Sequence, residues 1–148
     1  MSQGSTPPWD SRESGDGPDG EVYEWYQRGM ALLSSGSPQA ASQLLERAAD
    51  AEPNSRSIRE ALARAQYDSR RYAEAADSFR RIVDVSPDDD YAHFGLGLSL
   101  TRLGEVGQAV EYLAIAVAMR PDVRHYERAL RGARATLRAR AERHGDPT

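Results

Sequence analysis

The fold of this chain is decided by the stretch PDDDYAHFGLGLSLTRLGEVGQAVEYLAIAVAMRP, which occupies residues 87–121. The prolines at its two ends lie 34 positions apart, and Pro53 lies 34 positions before Pro87. Small and large apolar residues recur between them at the same spacing, in the sets Ala41, Ala75 and Ala109; Leu45, Phe79 and Leu113; and Gly29, Ala63 and Gly97. Packing residues that repeat at this period predict a stack of similar helical units with one continuous core.

The apolar residues of each unit follow helical spacing in two runs separated by a short turn. The helices expected, in chain order, are 21–36, a second from 38, then 55–69, 72–85, 88–103 and 105 or 106 to 119, with turns at Gly36, at Arg70 and Arg71, and at Gly104. Each unit is therefore predicted to be an antiparallel helical hairpin.

A serine followed by proline marks two of the expected helix starts. Ser37 and Pro38 predict the N-cap and first turn of the second helix. Ser86 and Pro87 predict the same for the third unit, with Asp88 to Asp90 in the first turn, where the helix dipole favours acidic side chains. A divalent cation is the alternative explanation of the three aspartates, but a helix start accounts for them without a metal.

A seventh helix is predicted over 122–143, and no partner hairpin follows it. Repeat arrays need a terminal element with a polar outer face, which this arginine-rich helix supplies, so we expect it to cap the stack. Its arginines are also the one feature that points to phosphate contact. They are interspersed with acidic residues on an acidic chain, so Arg131, Arg134 and Arg138 are expected to attract the acidic N-terminal tail or an acidic partner rather than nucleic acid.

The first 20 residues are expected to be a disordered acidic tail, since Gly, Ser, Pro and Asp dominate and Trp9 gives little to bury. A solvated leader is the simplest interpretation of this segment. The alternative is that Pro7, Pro8 and Trp9 form a short extended ligand for another domain. Residues 144–148 form a second, C-terminal tail.

The composition excludes several classes of protein. The chain has 148 residues, a formal net charge of −4 and no cysteine, which excludes disulfides, thiol catalysis and thiolate metal sites. No secretory signal is evident at the start, and no run approaches the roughly 18 apolar residues that cross a bilayer, so we expect a cytoplasmic protein with no membrane contact. All 19 basic residues are arginine, which favours a bacterial source with a GC-rich genome.

The phased residues resemble the consensus of the tetratricopeptide repeat (TPR) family. The matching positions are Trp25, Gly29, Leu32, Ala41, Leu45, Ala48 and Pro53 in the first repeat; Leu62, Ala63, Ala75, Phe79 and Pro87 in the second; and Leu96, Gly97, Leu100, Ala109, Leu113, Ala116 and Pro121 in the third. The sequence departs from the pattern at Arg28, Arg59, Gln66 and His93. The resemblance implies an all-α fold, an α-solenoid of three antiparallel helix-turn-helix hairpins plus a C-terminal capping helix. The domain would span 21–143, with repeats at about 22–55, 56–89 and 90–123.

The resemblance also implies a binding surface, because the first helix of each TPR hairpin lines a concave groove that holds peptides. Carried onto this chain, the groove positions are Tyr23, Tyr26, Met30 and Leu33; Glu60, Arg64, Tyr67 and Asp68; Tyr91, Phe94, Leu98, Thr101 and Arg102; and His125 and Arg128 from the cap, with Ser34 and Ser57 beside them. The expected groove therefore has apolar and aromatic walls and a charged band across its middle.

One version of the fold grips the C-terminal carboxylate of chaperone peptides with lysine, asparagine and arginine. The corresponding positions here are Tyr26, Met30, Ala61, Tyr91 and Gly95, so the clamp is absent. We therefore expect a ligand with apolar or aromatic anchors, such as a short amphipathic helix or an extended segment. Two alternatives stay open: the groove side chains pack against the next hairpin or the tail, or a homodimer covers them.

No catalytic arrangement is visible. The three histidines are scattered, no metal-binding motif is present, and repeat packing explains Gly95 and Gly97. The sequence thus predicts a non-enzymatic adaptor without cofactor or metal, which binds a protein or peptide partner in its groove. The alternative is a self-associating assembly module.

Overall fold

A computed structural model describes residues 18–144, which form seven α-helices and no strand. The helices are α1 (Pro18–Ser34), α2 (Pro38–Ala51), α3 (Arg56–Asp68), α4 (Tyr72–Val85), α5 (Asp90–Arg102), α6 (Val106–Met119) and α7 (Arg124–Arg143). The predicted all-α class is confirmed: three helical hairpins are followed by one further helix.

The first helix begins earlier than the sequence suggested. Pro18–Gly20 belong to α1, whereas the predicted tail extended to residue 20. Proline is favoured in a first helical turn, where its missing N–H is not needed, and Val22 in the next turn is buried, which anchors this end. The prediction of disorder for residues 1–17 and the extended ligand at Pro7 to Trp9 lie outside the described residues, as does the tail 145–148.

All three hairpin turns have the same geometry. Gly36, Arg70 and Gly104 stand 34 positions apart and have φ values of 84°, 67° and 86°. After each of them, an N–H reaches back to a carbonyl five residues earlier, at 2.8 Å from Ser37 to Leu32 and at 2.9 Å from Glu105 to Leu100. This pair of features defines a Schellman turn. The second hairpin makes it with arginine, which adopts the left-handed region at a cost that glycine avoids.

The linkers between hairpins correct the predicted start of α5. Ser86 and Pro87 do not open that helix; Ser86 ends α4, and Asp89 is the N-cap, with its carboxylate accepting a hydrogen bond from the N–H of Ala92 at 2.9 Å. The N–H of Ser86 donates to the carbonyl of Ile82 and so makes the last hydrogen bond of α4. The N–H of Asp89 then donates to the carbonyl of Ser86 at 3.0 Å, which closes a turn over the residues in between. Likewise α7 starts at Arg124 rather than at residue 122.

The other serine–proline pair behaves differently from the expectation in one respect. Pro38 does begin α2, but the Ser37 side chain makes no capping hydrogen bond. Ser55, in contrast, caps α3 by accepting from the N–H of Ile58 at 3.3 Å. Side-chain caps therefore fix the starts of α3 and α5, and proline fixes the start of α2, whereas α7 begins after Val123 without a side-chain cap.

Small residues allow the two helices of a hairpin to approach closely. A Cβ atom built on Gly29 would lie 2.6 Å from the Leu45 side chain, and one on Gly97 would lie 2.6 Å from Leu113. These distances are far below van der Waals contact, so any larger residue would force the leucines to move. The small and large phased positions are thus partners across each hairpin.

Two departures from the repeat pattern are buried polar residues with partners. Gln66 accepts a hydrogen bond from the Ser78 hydroxyl at 2.7 Å, and both side chains are buried between α3 and α4. The Nδ1 of buried His93 lies 3.0 Å from the carbonyl oxygen of Asp89. At least one polar atom of each of these core side chains therefore has a hydrogen-bond partner, as burial favours.

The helices form two layers with different spacing. Within residues 18–144, α1 contacts α3, α3 contacts α5 and α5 contacts α7, whereas α2, α4 and α6 contact no other even-numbered helix. When neighbouring helices lie closer to each other in one layer than in the other, the stack curves so that the closely spaced layer is on the concave side. The odd-numbered helices therefore line the concave face. None of α1–α7 combines the length and apolar character that crossing a bilayer requires.

Candidate functional site

The candidate site is the concave face formed by α1, α3, α5 and the start of α7, which we call the groove. Its fifteen predicted residues are all at least partly accessible to solvent, and Tyr23 is 62% exposed. The structure does not gather them into one site. Six of them line a single cavity. The other nine lie on the first repeat, near the start of α3 and the end of α5, and on α7.

The central cavity lies between α3 and α5 and has a volume of about 190 Å³. It is lined by Arg64, Tyr67, Asp68, Tyr91, Phe94 and Leu98, together with Phe79 and Gly95. Its walls are aromatic: the ring centroids of Phe79 and Tyr91 are 6.1 Å apart, and those of Tyr91 and Phe94 are 6.5 Å apart. Charged residues stand only on its α3 side. This combination suits a ligand with an apolar anchor and polar flanks.

Phe79 and Gly95 were not predicted as groove residues. Phe79 comes from α4 in the outer layer, and its ring reaches the groove beneath Gly95, where a Cβ would lie only 2.4 Å from the ring. The repeat register contains a signal for this pair. At the Phe79 position the other repeats have leucine, and at the Gly95 position they have Gln27 and Ala61. A larger side chain at one position is therefore matched by the loss of a side chain at the other.

Phe94 serves the fold as well as the groove. Its ring stacks on Tyr126 of α7 at 4.5 Å and meets the edge of His125 at 5.2 Å. The Tyr126 hydroxyl donates to the Asp90 carboxylate at 2.6 Å. Burial first, and then this hydrogen bond and the Asp90 charge, raise the pKa of Tyr126 far above its ordinary value. The alternative that groove side chains pack against the next helix therefore applies to Phe94.

The groove is acidic where α3 and α5 begin. Glu60 lines a shallow depression with Arg56, Ser57 and the three aspartates Asp88, Asp89 and Asp90. Burial and, next, the charge of Asp89 raise the pKa of Glu60. Residues 18–144 contain no group of three His, Cys, Asp or Glu side chains arranged to hold a metal ion. This part of the groove is thus a negative surface that favours a basic group on a ligand.

Arg102 lies over Tyr67, next to the central cavity. Its guanidinium carbon lies 5.9 Å from the Tyr67 ring centroid and 5.4 Å from that of Tyr72, and one of its nitrogens donates to the Tyr72 hydroxyl at 3.2 Å. The neighbouring Thr101 hydroxyl donates to the carbonyl of Gly97 in its own helix. These two predicted residues are therefore held by intramolecular contacts.

The first repeat contributes a separate surface. Tyr23 and Tyr26 line a cavity of about 260 Å³ with Val22, Ile58 and the linker after α2. Met30 and Leu33 are half buried against the α1–α3 core. His125 and Arg128 are exposed on α7, and only His125 touches the aromatic cluster. The predicted N-terminal groove residues are therefore not part of the central cavity.

The chain resembles several solved structures in fold. A MamA structure (AMB-1) is 22% identical with a TM-score of 0.70; it covers 78% of this chain, which spans 63% of that MamA chain. The second TPR domain of human RPAP3, in complex with the HSP70 peptide SGPTIEEVD, is 18% identical with a TM-score of 0.73 and covers 80% of this chain and 98% of its own. The Sgt2 TPR domain from Aspergillus fumigatus is 18% identical, with a TM-score of 0.76 and coverage of 84% of both chains.

A search of curated protein sequences gives no significant match, but a family model does match this chain. The tetratricopeptide repeat family matches over residues 26–90 and again over residues 60–124, together about two thirds of the chain. The two matches overlap across the second hairpin, as expected where each match spans two repeats. With the period of 34 residues, the three Schellman turns and the paired small and large residues, this match shows that the chain belongs to the tetratricopeptide repeat family.

Proposed function

We propose that this protein is a non-enzymatic adaptor that binds a peptide or short helix of a partner protein in the groove. The observation that carries the proposal is the central cavity, where Tyr67, Tyr91 and Phe94 stay partly accessible to solvent above the buried ring of Phe79. Tyrosine and phenylalanine offer large contact areas with few rotatable bonds, which suits them to peptide binding. The RPAP3 structure shows a TPR domain of this size with a bound peptide.

The chemistry of the groove favours a ligand of a different kind from that of RPAP3. The peptide bound there ends in EEVD, in which three of the four residues are acidic. The clamp positions of this chain, Tyr26, Met30, Ala61, Tyr91 and Gly95, carry no positive charge, and Ala61 is buried. An aromatic or apolar anchor in the central cavity, with a basic residue toward Glu60 and the aspartates, matches the surface better. An affinity near micromolar, roughly −8 kcal/mol, is expected for one such motif.

Peptide selection tests this proposal. We expect the full chain to enrich peptides with an apolar anchor and a basic flank. Their binding, measured by calorimetry, should weaken at least tenfold in Leu98→Glu and clearly in the charge-pattern variant Glu60→Gln. Gln108→Glu is a matched control, because Gln108 is exposed on α6 in the outer layer. Circular dichroism melts establish that each variant is folded.

Two results would contradict the adaptor proposal. One is that the selected peptides bind Leu98→Glu as tightly as the unchanged chain. The other is a homodimer, measured by light scattering after gel filtration, that dissociates in Leu98→Glu but not in Gln108→Glu, since a second copy would then be the occupant of the groove.

The absence of a cofactor and of a nucleic-acid partner belongs to the same proposal, as do a cytoplasmic location and a bacterial source. Fractionation of the source cells tests the location. A salt-sensitive mobility shift with generic DNA or RNA would argue for a phosphate-binding role of the arginines on α7 instead.

A further inference from the structure

A second cavity lies outside the groove, at the junction of the α2–α3 linker with α3 and α4. It has a volume of about 220 Å³ and is lined by Pro53, Asn54, Ser55, Arg56, Arg59, Arg81, Ile82, Val85 and Ser86. We call it the arginine cavity. It shares no residue with the central groove cavity and only Arg56 with the acidic depression. An occupant of the arginine cavity would therefore leave the central cavity open.

The charges around this cavity are not balanced by its own walls. Three arginines line it and no carboxylate does. Arg56 lies 3.8 Å from Asp89, but within residues 20–144 neither Arg59 nor Arg81 has an ion pair within 4.0 Å. Burial and, next, the charge of Arg81 lower the pKa of Arg59, while Asp50 acts in the opposite direction. The guanidinium groups of Arg59 and Arg81 thus both line the cavity, and Arg59 donates one hydrogen bond, at 3.5 Å, to the carbonyl of Pro53.

The floor of the cavity is apolar. Ile82 is buried beneath it, and Val85 at its edge is 84% exposed, the highest value among the large apolar residues of the described chain. A ligand that fits must therefore combine negative charge with an apolar group of moderate size. The volume of the cavity is of the order of one aromatic side chain.

The chain itself provides such a ligand. Residues 1–17 contain three acidic residues, Asp10, Glu13 and Asp16, against one basic residue, Arg12, and Trp9 is their only aromatic side chain. Their attachment point is close to the arginine cavity. Val22 and Tyr23, just inside α1, share a surface cavity with Ser55, and Ser55 also lines the arginine cavity.

The reach is sufficient. Eight residues separate Trp9 from Pro18, and an extended chain spans about 3.3 Å per residue, or roughly 26 Å. Since the segment is tethered next to the cavity, its effective concentration there is high, and even weak contacts would be populated. We propose that the arginine cavity is the docking site of the acidic segment 1–17 of this chain, with Trp9 as the apolar anchor and Asp10 beside the arginines.

Trp9 fluorescence in the full chain tests the proposal. The chain has two tryptophans, so Trp25→Phe leaves Trp9 as the only one. We expect Trp9 in that background to show a blue-shifted emission and a several-fold smaller acrylamide quenching constant than in a free peptide of residues 1–17, since a bound side chain loses most of its contact with solvent. Both signals should approach those of the free peptide in 0.5 M salt, which screens the charges.

Two variants assign the signal to the cavity. Arg81→Glu reverses an exposed charge, and Val85→Ser removes an exposed apolar contact; each should release Trp9 without unfolding the chain. Arg134→Glu makes an equal charge change on an exposed residue of α7, one of the arginines that the sequence suggested as partners of the tail, and should not release Trp9. Release of Trp9 by Arg134→Glu but not by Arg81→Glu would place the tail on α7 and overturn the proposal. Trp9 quenched as readily as in the free peptide would overturn the proposal. So would protection that survives both cavity variants, because Trp9 would then lie elsewhere, on the tyrosines of α1 or on a second molecule.

Discussion

The ring of Phe79 occupies the space that a side chain on Gly95 would need, since a Cβ at Gly95 would lie 2.4 Å from two of the ring atoms. The two residues belong to different repeats and to different layers of the stack. Their fit brings an aromatic ring from the outer layer to the floor of the central cavity, where it stays buried. The shape of the central cavity thus depends on a lining residue that has no side chain.

Gly95→Ala should destabilise the chain by about 1–3 kcal/mol through overpacking, less the roughly 1 kcal/mol that alanine gains in helix propensity. Phe79→Leu, which restores the residue type of the other repeats, should relieve the strain. We expect the double variant to be more stable than the sum of the single effects by about 0.5–3 kcal/mol, measured by urea unfolding. Strict additivity would show that the ring and the glycine are not packing partners.

Arg70→Gly should stabilise the second hairpin. Arginine in the left-handed region costs about 1–2 kcal/mol, and glycine gives back about 0.5–1 kcal/mol of that gain through unfolded-state entropy, so a net gain of roughly 0.5 kcal/mol is expected. Arg70→Ala is the matched control, because it removes the long side chain but keeps the Cβ. A gain in Arg70→Ala equal to that in Arg70→Gly would show that the side chain, not the backbone, is responsible.

The N-cap of α5 separates three adjacent aspartates by function. Asp89→Ala should lower the free energy of unfolding by about 1 kcal/mol, since the hydrogen bond to the N–H of Ala92 is lost. Asp88→Ala, next to it in an exposed turn, should change stability by less than about 0.5 kcal/mol. Chemical unfolding of the two variants at neutral pH decides; a larger loss in Asp88→Ala would place the cap elsewhere.

Tyr126 should make the fold sensitive to alkaline pH. Its pKa is raised in the folded state, so its contribution to stability is complete below the ordinary tyrosine value of about 10 and is lost as pH rises through the folded-state pKa. Tyr126→Phe should cost about 0.5–1.5 kcal/mol at neutral pH, where the bond to Asp90 is lost, and should reduce the fall in stability above about pH 10. Urea unfolding at pH 7 and about pH 11 measures both; an unchanged alkaline slope would contradict the assignment.

The fold could be predicted because the repeat period sets the packing. The phased positions of Gly29 and Leu45, or of Gly97 and Leu113, are contacts in the structure, and the turns at Gly36 and Gly104 fall where glycine predicts them. The start of α5 was wrong because Ser86 and Pro87 were interpreted by local propensity alone. The register offered a better guide: Asp89 lies 34 positions after Ser55, which was expected to begin α3.

The groove was harder to predict than the fold. The repeat pattern gives the positions that face the concave side, but not which of them pack against each other. Phe94 shows the difference, because its ring is both a wall of the central cavity and a stacking partner of Tyr126. The contribution of Phe79 crosses between layers, and no pattern confined to one helix reports such a contact.

The unequal spacing of helices in the two layers determines which side of the stack changes shape when the array bends. Because the odd-numbered helices touch one another and the even-numbered helices do not, bending of the array would pivot about the inner layer and change mainly the gaps on the outside. The concave surface would then keep its shape during such bending. A partner that fits it would meet a surface already in its binding conformation and would lose little affinity to ordering.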